Sequence, residues 1–329
     1  MYEAFYGLRE RPFDLTPNPR FLLMTARHRE ALTTLEYGLT ARTGIALLVG
    51  EAGTGKTTIV HAALQSPRVR QSRAVYLNNP ALTRDEFVEF LAAGFGLSEG
   101  ASRSKTRCLA ELTDVLASRH ASGTMSALVI DEAQCLTDEL LEEVRLLANM
   151  ESASEKLLSI VLAGQPEIAD RLNQPSLRQL KQRIGLRCSL AALELPETVA
   201  YIAARLRIAG GDERQVFTDD AVAMIHDRSR GIPRTISVIA DNALVSAFAQ
   251  DLRPVDRDVV LEICRDFDFG ETPDHAAELP RRREDEDRNE SMRVRSFGPD
   301  AVSDPHAVMP AVDQGPAPPS EQRSIRFVV

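Results

Sequence analysis

Lys56 and Thr57 close the run Gly50-Glu51-Ala52-Gly53-Thr54-Gly55-Lys56-Thr57, and Thr58 follows. The spacing is G-x-x-x-x-G-K-[ST], a phosphate-binding P-loop. Glycines let successive backbone N–H groups turn inward to form a nest for phosphate oxygens. A helix beginning at about Thr57 adds the positive end of its dipole. Lys56 can then reach the β- and γ-phosphates of a nucleotide, and the Thr57 hydroxyl can ligate Mg²⁺. A second acidic site lies at Asp131-Glu132, which ends the apolar run Ala127-Leu128-Val129-Ile130. Asp131 is placed to complete the Mg²⁺ shell opposite Thr57, and Glu132 to polarise the water that attacks the γ-phosphate.

Three further residues are candidates on weaker grounds. Gln165 follows the apolar run Leu157 to Ala163 and either senses the lytic water or is simply a turn residue. Arg178, Lys181 and Arg183 share one expected helix; such a cluster is either a solvated face or the source of an arginine finger reaching a neighbouring subunit's nucleotide, with Arg183 favoured over Arg178. Arg234 stands in Gly231-Ile232-Pro233-Arg234 at the start of a helix, where the helix terminus is already positive. A nearby anion such as the γ-phosphate accounts for it; an ordinary surface arginine is the alternative.

These residues need a scaffold. Apolar runs at Ile45 to Val49, Ala74 to Leu77, Ala127 to Ile130 and Leu157 to Ala163 read as strands, and Leu186 to Leu190 as a fifth. Helical patterns separate them: Arg27 to Leu39 precedes the first, a helix capped by Thr83 and another over Thr106 to Arg119 precede the third, and helices from Thr137 and over Pro175 to Ile184 follow. Strand–helix alternation specifies a parallel sheet with helices on both faces. From Glu197 onward only helical periodicity remains, at 197–209, 218–230, 235–250 and 255–264. The division expected is therefore 1–44, an aromatic and proline-rich segment and a helix packing on the core; 45–194, the α/β core; 195–270, a small helical lid; and 271–329, a charged, Pro-rich tail unable to offset its ordering entropy. Prolines should keep Met1 to Phe21 extended, either closing over the adenine or simply packing on the core. The last residues, Ile325-Arg326-Phe327-Val328-Val329, are either a frayed end or a short docking strand.

Composition narrows the classes. A net charge of −9 over 329 residues argues against a broadly basic nucleic-acid binder. Four cysteines without a C-x-x-C pair fit reduced thiols of a cytoplasmic protein better than a zinc site or disulfide frame. The start carries charges where a signal peptide needs an apolar core, and no apolar run approaches the ~18 residues a membrane span needs.

With these pieces in place the chain resembles the AAA+ ATPases and, among them, the general secretion pathway protein A family. The resemblance covers most of Met1 to Phe269. It rests on the opening aromatic block with Pro12-Phe13 and Thr16-Pro17, GEAGTGKTT, VIDEAQ (Val129 to Gln134), LAGQPE (Leu162 to Glu167) and GIPR (Gly231 to Arg234). It implies an ATP-hydrolysing core with a helical lid. By this likeness Lys56 and Thr57 are Walker A, Asp131 and Glu132 Walker B, Gln165 sensor 1 and Arg234 sensor 2. It also implies a homo-oligomer working with inner-membrane secretion, pilus or exopolysaccharide-export components, as a cytoplasmic protein held peripherally at the membrane by its partners. A polar tail stands where full-length relatives in type II secretion carry a membrane span and a wall-binding region, as in the short forms beside exosortase and polysaccharide loci. Ser237 replaces an asparagine expected soon after GIPR. A DNA-binding ATPase of transposition or target selection is the alternative, for which Arg178, Lys181, Arg183 and Arg187 are the residues that could track phosphates. A helicase has only DEAQ in its favour.

Overall fold

The computed structural model describes residues 1–269, apart from 17–18, 22, 42, 70–71 and 153–154, together with Arg326 and Phe327. Five strands follow the expected runs: β1 Ile45–Gly50, β2 Arg73–Leu77, β3 Ser126–Ile130, β4 Ser159–Gly164 and β5 Ile184–Leu190. They lie all parallel in the order β5-β1-β4-β3-β2. A sixth, β6 Arg326–Phe327, pairs in parallel with Val75 and Tyr76 of β2, so these two residues take the strand-addition alternative. The tail expected over 271–329 lies, apart from Arg326 and Phe327, outside the described residues.

β1 is buried along its whole length, and its alternate side chains feed two separate cores. Ile45, Leu47 and Val49 pack with Phe87, Leu91, Leu112, Leu116 and Leu141. These come from the helices Arg84–Phe95, Lys105–Ala121 and Asp138–Leu147. Ala46 and Leu48 face Ala31, Leu35, Leu39, Ile59 and Ala63 from the helices Ala26–Thr40 and Lys56–Gln65. A strand covered on both faces has no polar side, which is why its sequence shows a continuous apolar run. Every strand points the same way, so the loops carrying the candidate chemistry gather at the carboxyl edge.

The helices Leu195–Ile208, Asp219–Ser229, Pro233–Ala249 and Arg257–Asp266 share a third core built on Leu206, Ile225, Ile239, Leu244 and Val260. Residues 1–13 differ from expectation. They are not extended, and they pack on this helical bundle, not on the sheet. Tyr2–Tyr6 is a helix ended by Gly7 in the left-handed conformation. No proline occurs before Pro12, so the first turn is free to form, and its i, i+4 spacing puts Tyr2 and Tyr6 on one face. Both are buried against the bundle. Tyr2 donates its hydroxyl proton to Asp241, Tyr6 to the Leu252 carbonyl at 3.2 Å, and the Arg9 N–H to the Ala209 carbonyl at 2.7 Å. The helix expected over Pro175 to Ile184 is also shorter: a 3-10 turn Pro175–Leu177 and one helical turn Arg178–Lys181 precede β5. Pairing of Ile184 with Ile45 of β1 claims the end of that segment for the sheet.

Gly231 ties the bundle to the segment that leaves β5. Its carbonyl accepts from the Leu193 N–H at 2.8 Å, its φ is +70°, and a Cβ there would sit 2.1 Å from the Leu193 oxygen. Gly231→Ala is therefore expected to cost about 2–4 kcal/mol, through a strained backbone and a displaced main-chain contact. The denaturant midpoint should fall at unchanged m-value; an unmoved midpoint would rule this staple out.

Candidate functional site

The phosphate loop runs from β1 into Lys56–Gln65, with Gly53 and Gly55 at φ of +82° and +97°. Gly55 is the N-cap of that helix and supplies no side-chain acceptor, which leaves its first N–H groups facing the loop's concavity. The Thr54 hydroxyl braces the loop by donating to the Glu51 carbonyl at 2.8 Å. Lys56 is 5% exposed, and its ammonium donates to the carbonyls of Gly50 at 2.8 Å and Glu51 at 3.1 Å. Burial pushes its pKa down, offset in part by Glu132, Asp131, Glu51 and Glu167. The acidic surroundings thus favour a charged ammonium at the place where phosphate charge would arrive.

Asp131 ends β3 at 1% exposure and is held by three donors. Its Oδ2 accepts from the Thr57 hydroxyl at 2.6 Å and the Tyr76 hydroxyl at 2.9 Å, and its Oδ1 from the Glu132 N–H at 2.9 Å. Burial and the Asp131 charge drive the Tyr76 pKa strongly upward, so the phenol remains a donor. The His61 ring meets Tyr76 edge-on at 5.2 Å between centroids. Glu132 occupies the left-handed region at φ 50°. Its carboxylate Oε2 accepts from Gln134 Nε2 at 2.6 Å.

A cavity of about 380 Å³ opens between this loop and the helical bundle, within the range of small-ligand pockets. Lys56, Thr57, Glu132 and Arg234 all line it. Arg234 is the second residue of Pro233–Ala249, exposed, with no side-chain hydrogen bond or ion pair among the described residues. Its N–H donates to the Gly53 carbonyl at 3.2 Å. A Cβ on Gly53 would lie 2.7 Å from that of Arg234, so glycine at 53 is what lets the bundle approach the phosphate loop.

Leu15, Phe21, Leu23, Tyr201, Arg205 and Ser237 also line the cavity, so part of the N-terminal segment contributes to its wall. The Arg205 guanidinium lies over the rings of Tyr201 at 4.8 Å and Phe21 at 5.2 Å. Ser237 is buried and hydrogen-bonded to the Tyr201 hydroxyl at 2.9 Å, a working contact at the position where asparagine was expected.

Gln165 sits at the carboxyl end of β4, linked to Glu132 through Gln134 and not on the cavity wall. Arg183 and Arg178 are exposed, and Arg183 precedes β5, at the opposite edge of the sheet from the phosphate loop. One strand length, roughly 20 Å, separates it from this chain's own cavity. No group of three or more His, Cys, Asp or Glu among the described residues is arranged to hold a metal. Sequence reasoning missed Tyr76, Gln134 and His28. Tyr76 could have been found as the one polar-tipped residue near the carboxyl end of β2, whereas His28 carries no local signal.

The fold is shared with known proteins. Residues 40–172 match the AAA domain model. The Aeropyrum pernix ORC2 protein in its ADPNP–ADP complexes superposes with a TM-score of 0.60 at 16% identity, over 81% of this chain and 74% of that one. Drosophila ORC bound to DNA gives 0.59 at 18% identity, over 78% and 64%. At such identities the likeness is one of fold. The chain belongs to the AAA ATPases, with a P-loop and a five-stranded parallel sheet. It is, more closely, a homologue of General secretion pathway protein A of Aeromonas hydrophila, 42% identical over 250 residues. That match takes in 76% of this chain and 45% of the relative, so the chain spans less than half of that protein's length. No helix among the described residues is long and apolar enough to cross a membrane.

His28 is expected to give the stability of the fold a pH dependence. It is buried on the cavity wall, shares a 2.8 Å hydrogen bond with the Thr25 hydroxyl, and lies behind Gly55. Burial lowers its pKa, against a smaller opposing effect of a hydrogen bond with the Thr54 backbone. The unfolded chain then takes up a proton, near pH 6.5, that the folded chain refuses. Stability is complete above that value and is lost as pH falls below it. His28→Gln is expected to flatten the decline in unfolding free energy between about pH 6.5 and 5. Equal slopes for the two proteins would remove His28 from the account.

Proposed function

We propose that this chain binds ATP in the cleft between phosphate loop and helical bundle and hydrolyses it, as an oligomeric ATPase that assembles or regulates a bacterial envelope export system. The observation that carries the reading is the convergence of Lys56, Thr57, Glu132 and Arg234 on one cavity, with Asp131 bonded to Thr57 behind it. Backbone N–H groups of 50–58 and the Lys56 ammonium would hold the phosphates. The hydroxyl of Thr57 and the carboxylate of Asp131 are hard oxygen donors that fit Mg²⁺, which keeps several waters and needs few protein ligands. When bound, Mg²⁺ supplies neutralisation of the phosphate charge. Glu132 orients and polarises the attacking water, and Arg234 draws the bundle toward the γ-phosphate as sensor 2.

The remaining assignments follow from the same reading. Residues 45–194 act as the catalytic core and 195–270 as its lid. Gln165 is taken as sensor 1. Arg183, exposed and remote from its own chain's cleft, acts in trans on the next subunit of a homo-oligomer, which would leave the isolated chain slow. Homology to General secretion pathway protein A supports partners among inner-membrane secretion or polysaccharide-export components, with the chain on the cytoplasmic side and held there by those partners.

Steady-state ATPase of the full chain, with and without duplex DNA, tests this. Lys56→Ala should abolish nucleotide binding, while Glu132→Gln should keep binding and lose about 10²–10⁴-fold in turnover. Arg183→Ala should keep binding and lose on the order of 10³-fold or more, with wild-type turnover rising with protein concentration. Strong, salt-sensitive stimulation by DNA would overturn the export reading in favour of a transposition-type ATPase. Turnover no higher than that of Glu132→Gln would overturn the catalytic assignments.

A further inference from the structure

Gln134 has both ends of its side-chain amide engaged. Its Nε2 donates to Glu132 Oε2 at 2.6 Å, and its Oε1 accepts from the main-chain N–H of Gln165 at 3.0 Å. Because the N–H of Gln165 can only donate, it fixes the amide with oxygen toward β4 and nitrogen toward Glu132. That nitrogen is a donor, which suits a carboxylate that can only accept. The contact is built into the backbone on both sides. A Cβ on Gly164 would come within 2.9 Å of Gln134 Oε1, so the last residue of β4 leaves room for the amide. Arg171, on the helix Pro166–Arg171 that follows, donates to the carbonyls of Gln134 at 2.9 Å and Leu136 at 2.7 Å and pairs with Asp138. The turn carrying Glu132 is thereby fastened to the end of β4, the strand between β1 and β3.

From this geometry we infer that Gln134 is a positioning residue for Glu132, coupling the aim of its carboxylate to the main chain at Gln165. This rests on the assignment of Glu132 to the lytic water. One carboxylate oxygen is tethered by the amide, and the other is left to accept a proton from water. The backbone of Glu132 stands in a sparsely populated conformation, and its carboxylate makes no other side-chain hydrogen bond or ion pair among the described residues, so the amide is the directional contact that aims it, beside the longer-range attraction of Lys56. Gln165 then contributes through its N–H, and a shift of the β4 end is passed to Glu132 without any change in the phosphate loop.

The test uses the full chain with Gln134→Met, close in volume but without donor or acceptor, and Gln134→Asn, which keeps the amide but is one methylene too short to bridge both partners. Equilibrium binding of a fluorescent ATP analogue, kcat, KM and residual single-turnover hydrolysis are measured for each, alone and combined with Glu132→Gln. Both variants should lose about 10–100-fold in kcat, as expected for a reacting group displaced by about 1 Å. Nucleotide affinity and KM should stay within about twofold, and Gln134→Met should add no further loss to Glu132→Gln, since residues acting through one another are not additive. Wild-type kcat in Gln134→Met would overturn the inference. So would a parallel loss of nucleotide binding, or a further loss on the Glu132→Gln background, because either marks a merely structural role. Wild-type turnover equal to that of Glu132→Gln would instead bring down the reading of the site itself, and the inference with it.

Discussion

The hydrogen bond from the Thr57 hydroxyl to the Asp131 carboxylate is the contact on which the rest of the structure depends. It joins the loop after β1 to the end of β3, two strands separated by β4. It can form only if all three strands run parallel and end level. Tyr76 brings β2 to the same carboxylate oxygen, so three loops or strand ends are referred to one point. A charge at 1% exposure would be costly without partners, and the three donors around Asp131 are what make it tolerable. The two apolar cores either side of β1 exist, in this sense, to hold one carboxylate in register with one hydroxyl.

The second constraint is steric. The helical bundle reaches the phosphate loop through the close approach of Arg234 to Gly53, and the bundle is tied to β5 through Gly231 and Leu193. At Gly231 a side chain would fill the space used by the Leu193 backbone, and at Gly53 the space used by the side chains of Arg234 and Ile232. The cavity between loop and bundle therefore has walls whose separation is set by glycines, and Leu15, Phe21 and Leu23 complete part of its lining.

Much of this was legible in the sequence. A buried parallel strand has a continuous apolar run as its signature, and the four such runs became strands, as did Leu186 to Leu190, whose alternation marks the edge strand β5. The Thr83 cap with Glu86 three residues on formed the reciprocal hydrogen bonds such a pair makes. What escaped depends on partners far away in sequence. Tyr2 and Tyr6 read as part of a proline-rich arm until the bundle that covers them is in view. Tyr76 reads as an ordinary strand residue because its role is set by lateral order, which places β2 beside β3. Gln134 sits inside a recognisable motif, yet its hydrogen bonds are specified by the turn's backbone and by Gly164 across the gap, neither visible as periodicity. The helix over Pro175 to Ile184 failed for the opposite reason: local propensity was overruled by pairing of Ile184 with β1.

The packing of residues 2–13 on the bundle also has a consequence in time. The partner of Tyr2 lies 239 residues further along the chain, and that of Tyr6 lies 246 residues on. At about 5–20 residues per second of synthesis, the opening aromatic segment waits roughly 10–50 s for its docking surface to leave the ribosome. All five strands through β5 emerge before that surface does. Residues 2–13 are made before all five strands yet find their place after them, and the cavity lined by Leu15, Phe21 and Leu23 a little further on stands against a bundle completed only then.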